Sequence, residues 1–580
     1  MSSAVMPLIE RGRAARLGGH PAAAVAPLQQ AIQLAPDDPL VMQEIGLTCI
    51  AIGDIGNALG ALLRALAVDP ALSDAGRALA LLLEHNQLTD DSEMTIGVLR
   101  RLYQRGDVNP QQLARSTANI MLKRQDLRQL LSQLQNGDPA DSWAALPTGL
   151  LGEPLFRAML VSGFNRDAVL ERMLTRLRRD FLLSEPALDP TRIDFAAAIA
   201  QQANNNEFVF FESDEEASVV DAITRIEDLR SLLRVAMYRR LDLRPEAAAL
   251  LERTWPPSVH ELLDRVVRRP LREREIARDL PQFAAIDNAT STLVKEHYEE
   301  SPYPRWFRLT LPDPGSRKAW AERMLAGDRR GIGPDGRLQV LIAGGGTGFQ
   351  SVSTALAYGP EVDLLAIDLS RTSLAYSVCQ AEAQGASNLR HMCGDLLEVD
   401  RLPGQFDIIE STGVLVCVAD PAAALAALVS KLRPGGLLFL ALYSEEARRD
   451  VVAARERIAA EGIPDTPAGM REFRKALMEG PDIPLKADLL ASPGFYSLST
   501  CRDFLFHRVE HRFTLEQVGA LLAANGLQLR DWDLPPGVQT RFLGRFGPAA
   551  DVLNLGQWAV FERENPRTFR GMYRFWSQRR

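Results

Sequence analysis

The stretch "LQVLIAGGGTGFQ", residues 338–350, decides the fold. Residues 338–343 are almost all apolar and read as a buried strand. Glycines follow at 344, 345, 346 and 348, and "FQSVSTALAYG" then reads as a helix. Glycine lets the backbone turn sharply and lets a ligand touch the main chain. The start of the following helix offers unpaired N–H groups. A strand, a bare turn and a helix in that order raise the question of a bound nucleotide, and of which one.

The alternation continues downstream. "DLLAID" (363–368), "FDIIES" (406–411) and "LLFLALY" (437–443) read as strands, with helical runs between them and a third strand expected just before "CGDLLE". "RPGG" reads as the turn before "LLFLALY". Near-continuous apolar strands alternating with helices predict a parallel, doubly wound sheet. A sixth strand is expected near "LQLRDWDL" (527–534), and no segment reads convincingly as a seventh. Residues 444–512 are too long for a plain loop and read as a helical insertion that caps the acceptor side. The predicted fold class is multidomain, with α-helical N-terminal and middle regions and an α/β Rossmann-like domain. The expected division is 1–75 as tetratricopeptide-like repeats and 76–290 as a helical middle region. The α/β core follows at 291–443 with 513–535, the insertion at 444–512, and a C-terminal helical extension at 536–580.

Three ligand classes suit such a turn in general. A P-loop needs Gly-Lys-Ser/Thr, and Thr347-Gly348-Phe349 has no lysine. A dinucleotide fingerprint wants a glycine at 349, where Phe stands. A G-x-G-x-G spacing at 344, 346 and 348 is left. Asp368 ends the second strand, 20 residues past Gly348, where a carboxylate can accept from both ribose hydroxyls. Asp395-Leu396 lies on a turn after the third strand. A side-chain oxygen there can accept from an adenine amino group, with Leu369 and Leu396 bracketing the ring.

These features resemble the class I S-adenosylmethionine-dependent methyltransferases, as does "LRPGG" (432–436). The resemblance implies S-adenosyl-L-methionine as cofactor. Gly344, Gly346, Thr347, Gly348 and Gln350 would lie along its methionine and ribose. Asp368 would hold the ribose, Asp395 would meet adenine, and Ser411 would stand at the end of strand four, where ligands bind in such sheets. Residue 342, often acidic in that family, is Ile here.

The flanks narrow the resemblance. "VKEHYEESPYPRW" (294–306), "GVLVCVADP" (413–421), "FYSLSTCRDFLFHRVEHRFTL" (495–515) and "ENPRTFRGMYRFW" (564–576) look like a bacterial group of tetratricopeptide-containing methyltransferases. The layout is similar to rickettsial protein-lysine methyltransferases, which modify an outer-membrane protein and act as dimers. It implies a protein or peptide substrate, a lysine amine among the candidates, and a homodimer. Tyr298 and Tyr303 are the catalytic candidates. Arg305 could pair with the cofactor carboxylate, with Trp306 beside the methyl group. The group's common "GVLHH" is departed from at Val416-Cys417, so a histidine base at that place is missing. His507 and His511 are four apart, but no third ligand has convincing spacing, so no metal is expected.

The first segment repeats. Gly19/Gly53, Ala24/Ala58, Leu28/Leu62, Ala31/Ala65 and Pro36/Pro70 are each 34 apart, the tetratricopeptide period. Peptide docking and mere packing or dimerisation both remain open for it. Hydrophobic residues make up 46% of the 580 and charged residues 24%, ordinary for a soluble protein. A net charge of -8 disfavours nucleic acid as a partner. Five scattered cysteines suit a reducing cytoplasm, and neither a signal peptide nor a membrane span is expected. The leading expectation is a cytoplasmic methyltransferase acting on protein. A small-molecule methyltransferase and a non-catalytic cofactor-binding adaptor are the alternatives.

Overall fold

The 34-residue spacing is built from two helix pairs. Helix Met6–Leu17 packs on Val25–Leu34, and Pro39–Ile52 packs on Ile55–Val68. Asp38 starts the third of these helices by accepting from the N–H groups of Leu40 and Val41, at 2.9 and 3.3 Å. Gly53 ends it in the left-handed region, and Gly19 holds the same conformation 34 residues earlier. Two glycines that the repeat alignment had not singled out set the approach. A Cβ on Gly12 would lie 2.8 Å from Leu28 Cγ, and one on Gly46 would lie 2.7 Å from Leu62 Cγ. Both contacts recur at the same interval, so the period is a period of close helix contacts.

The computed structural model describes residues 4–136, 143–144, 146–325, 336–481, 484–535 and 537–580. The chain divides into two units, Met1–Arg268 with Phe307–Leu311, and Arg269–Trp306 with Pro312–Arg580. The first is helical throughout its regular elements. The short segment 307–311 belongs to it through Leu311 N–H, which donates to Asp107 O at 3.1 Å. Residues 269–290, expected in the helical middle region, fall in the second unit. The reason is backbone pairing: Cys393 N–H donates to Pro281 O at 2.8 Å and Phe283 N–H to Cys393 O at 3.0 Å.

The second unit carries a seven-stranded sheet. Its strands are β1 (Gln339–Ala343), β2 (Asp363–Asp368), β3 (Leu389–Cys393), β4 (Phe406–Thr412), β5 (Leu432–Leu442), β6 (Leu527–Trp532) and β7 (Tyr573–Arg579). The order is β3-β2-β1-β4-β5-β7-β6. Strands β1 to β5 are parallel, whereas β7 runs antiparallel to both β5 and β6. The sheet is therefore mixed, not wholly parallel. Residues 536–580 are not a helical extension. Two helices, Val538–Phe546 and Leu555–Glu564, lead to the missing seventh strand. β7 fits between β5 and β6 because Tyr573 and Phe575 are buried in the sheet core while Arg574 stays in solvent. "RPGG" is not a turn before β5 but a register shift inside it, where Phe406 faces Leu432 and Ile408 already faces Leu437. The described residues of 444–512 form four α-helices and a 3₁₀ turn, Pro493–Phe495. Among the described residues no helix is long and apolar enough to cross a membrane.

Gly46→Ala should destabilise the first unit by about 1–3 kcal/mol, because Leu62 is fully buried and has nowhere to move. Denaturant unfolding followed by far-ultraviolet circular dichroism measures this. Adding Leu62→Ala to Gly46→Ala should cost less than the two single changes summed.

Candidate functional site

The glycine turn is fixed by β2. Gly344 and Gly345 N–H both donate to Ile367 O, at 2.9 and 2.8 Å. Gly346 N–H donates to Asp368 Oδ2 at 2.8 Å, and Ser370 N–H donates to Oδ1 at 2.9 Å. Gly344 holds φ +83°, and a Cβ there would lie 2.0 Å from Val414 Cγ2. Gly348 holds φ +88°, and a Cβ there would lie 2.2 Å from Ser377 Oγ. Both positions therefore exclude any side chain.

Beside this turn, within the second unit, lies a cavity of about 250 Å³. The structure brings Tyr298, Tyr303, Gly344, Gly346, Gln350, Asp368, Leu369, Asp395 and Leu396 together in its wall. Thr347, Gly348, Arg305, Trp306 and Ser411 do not line it. Trp306 is buried under the turn, where its indole N–H donates to Thr347 O at 3.0 Å. A buried indole needs such an acceptor, and its ring meets Phe349 and Tyr376 edge-on rather than facing the cavity. Thr347 Oγ1 donates to Pro304 O, so this side chain ties the turn to the segment before β1. Ser411 is fully buried and its neighbour Thr412 lines the cavity instead, because adjacent strand residues face opposite ways. Gln350 is held by Glu410, a buried acid whose register partner in β1 is Ile342.

Thr412, at the end of strand four beside Ser411, and Asp503, near His507 in sequence, line the cavity together with Tyr443 and Met572, which sequence reasoning left out. Tyr443 and Met572 carried no local signal. Asp503 stood in view beside His507 but had no reason to be chosen over its neighbours. It sits on helix Leu498–Leu505 of the insertion and is 6% exposed. Its Oδ1 accepts from the Tyr298 hydroxyl at 2.8 Å, and the same hydroxyl lies 3.2 Å from His507 Nε2. Burial pushes the carboxyl groups of both Asp368 and Asp503 above their ordinary range. Burial likewise raises the Tyr298 hydroxyl and the Cys417 thiol.

The histidine pair His507 and His511 does not converge. His511 lies against Val418 O and Val416 O, at 2.8 and 2.7 Å. His507 instead groups with His297 and Asp503, with potential ligand atoms within 4.8 Å of one another. His507 Nδ1 accepts from Val509 N–H at 3.1 Å. In the neutral ring Nε2 then carries the proton, which leaves no lone pair there for a cation.

The family model described as "Methyltransferase domain" matches residues 340–436. An uncharacterized protein of Synechococcus sp. is 34% identical over 179 residues, 30% of this chain and 43% of that protein. A trans-aconitate 2-methyltransferase of Deinococcus radiodurans is 39% identical over 100 residues, 17% of this chain and 36% of that protein. The chain thus spans less than half the length of these curated relatives. Among solved structures, PKMT2 from Rickettsia typhi in complex with AdoHcy aligns with 42% of this chain and 48% of its own, at 19% identity and a TM-score of 0.31.

His297 is 3% exposed and its Nδ1 has no hydrogen-bond partner among the described residues. Burial above all, then the neighbouring His507 and Arg502, lowers its pKa to about 3 from the usual 6.5. The unfolded chain binds this proton and the folded chain refuses it, so stability falls as pH drops from 6.5 towards 3. His297→Gln should lower the pH midpoint of acid unfolding, as read by tryptophan fluorescence. Residues 340–436 thus match a methyltransferase domain, and they lie in a sheet of order β3-β2-β1-β4-β5-β7-β6.

Proposed function

We propose that the protein transfers the methyl group of S-adenosylmethionine to an acceptor on another protein. One observation carries the reading: Asp368, Asp395 and a turn stripped of side chains line a single cavity. Asp368 spends one lone pair of each oxygen on Ser370 and Gly346 N–H and keeps the others for two ribose hydroxyls. Asp395 is buried and starts a short helix by accepting from Leu397 N–H at 2.9 Å, which fixes its carboxylate towards an adenine amino group. Leu369 and Leu396 supply apolar walls for the ring. Gly344 and Gly346 leave room for the methionine chain, and Gln350 stays anchored by Glu410.

The cofactor supplies a methyl group on a sulfonium, already a good leaving group. The chain's own task is alignment and the exclusion of water. Tyr303 and Pro304 border the cavity and are tied to the turn through Thr347. A protein acceptor is supported by the first unit, whose paired helices stack as repeat proteins do to present a binding surface. The trans-aconitate relative favours a second reading, a small-molecule acceptor. Incubating cell extract with methyl-labelled cofactor separates the two: label in protein supports the first, label confined to small molecules the second.

Asp368→Ala should weaken S-adenosylmethionine binding by about 1.5–3 kcal/mol, the worth of hydrogen bonds to a charged group. Titration calorimetry reads this directly. Equal affinity in the two proteins would remove the cofactor from this cavity.

A further inference from the structure

Among the described residues the cavity wall contains three carboxylates, from Asp368, Asp395 and Asp503, and no lysine, arginine or histidine. The proposed cofactor engages the first two. Asp503 is left over. Resting on the cofactor reading above, we propose that Asp503 is the proton acceptor for the methyl acceptor, and that this acceptor is an amine entering as its ammonium ion.

The hydrogen bonds around Asp503 run one way. Val509 N–H donates to His507 Nδ1, so the neutral imidazole offers Nε2–H to the Tyr298 oxygen. The Tyr298 hydroxyl in turn donates to Asp503 Oδ1. Both links stabilise a charged carboxylate and orient it, while Oδ2 takes no hydrogen bond among the described residues. Tyr298 also ties this acid to the cofactor side, because its carbonyl accepts from Ser370 Oγ, two residues past Asp368. Other titratable and charged groups surround Asp503: His297 and His507 bring ring nitrogens within 4.8 Å of its carboxylate, Tyr303, Cys417 and Tyr443 share the cavity wall with it, and Arg448 after β5 adds a positive charge. Glu510 adds a further negative charge from the chain beyond His507, itself paired with Arg448 at 2.7 Å.

These surroundings choose between acceptors. A carboxylate or phosphate acceptor would meet a third acid and no cationic side chain in the wall. An ammonium ion meets Asp503 and the rings of Tyr298, Tyr303 and Tyr443, which attract cations. The ammonium gives one proton to the Asp503 carboxylate, leaving a neutral amine and a carboxylic acid. The nitrogen lone pair then forms the N–C bond as the C–S bond breaks, and that electron pair stays on sulfur. The products are a methylated ammonium and an uncharged thioether.

The test uses the full chain, native cell extract and tritiated S-adenosylmethionine. The expected product is base-stable label on nitrogen, formed at a rate that rises with pH as Asp503 ionises. Asp503→Asn should keep its affinity for S-adenosylhomocysteine within about twofold, yet lose at least about 100-fold in kcat. Tyr298 is a positioning residue: Tyr298→Phe removes a donor to the carboxylate and should move the pH profile to higher pH. Failure of S-adenosylhomocysteine to bind the unaltered chain would overturn the cofactor reading and this one with it. With binding intact, label released by base as methanol, no label at all, or equal kcat in Asp503→Asn would overturn the Asp503 assignment alone.

Discussion

Asp368 and the backbone of residues 344–346 hold one another. The carboxylate accepts from Gly346 N–H, while Gly344 and Gly345 hang on the carbonyl one residue before it. Neither partner has the right shape alone. A glycine turn without this anchor would sample many conformations, and a buried carboxylate without these donors would sit far from its preferred charge state. Their pairing fixes the distance between β1 and β2 at the carboxyl ends of the strands, and the cavity opens there.

The segment from Tyr298 to Trp306 extends that constraint outwards. Its carbonyl at 298 meets Ser370, its carbonyl at 304 meets Thr347, and its indole at 306 reaches the Thr347 carbonyl. Three hydrogen bonds therefore tie the end of helix Ala289–Glu300 and the irregular chain after it to the two loops that define the cavity. Tyr298 and Tyr303 face inwards as a result, and Trp306 becomes a buried prop. The same residues read from sequence as one aromatic cluster divide into two roles because only some of them face the opening.

On the far side of the cavity the chain returns after a long absence. Asp503 arrives from the helical insertion and Met572 from the residue before β7, itself at φ +103°. The antiparallel β7 locks the end of the chain between β5 and β6, with Leu438 facing Ser577 and Leu529 facing the same residue from the other side. Closing the sheet and lining the cavity are thus accomplished together by the last strand and the turn into it.

The bounds of β2 and the starts of β4 and β6 were legible because apolar residues recur along each strand over six or seven residues. The glycine turn and Asp368 lie within one strand–turn–helix–strand step, so their spacing was read locally, and Asp395 follows the next strand, β3. β7 was not, since "YRFWSQR" mixes charge with aromatics and declares itself a strand only when β5 and β6 flank it. The pairing of Tyr298 with Asp503 spans 205 residues. Local periodicity carries no information over such a distance. The sequence alone therefore determined a strand, a glycine turn and the acid that follows it, and only the folded chain decided that Asp503 joins the same cavity wall, because that choice depends on how two remote helices meet.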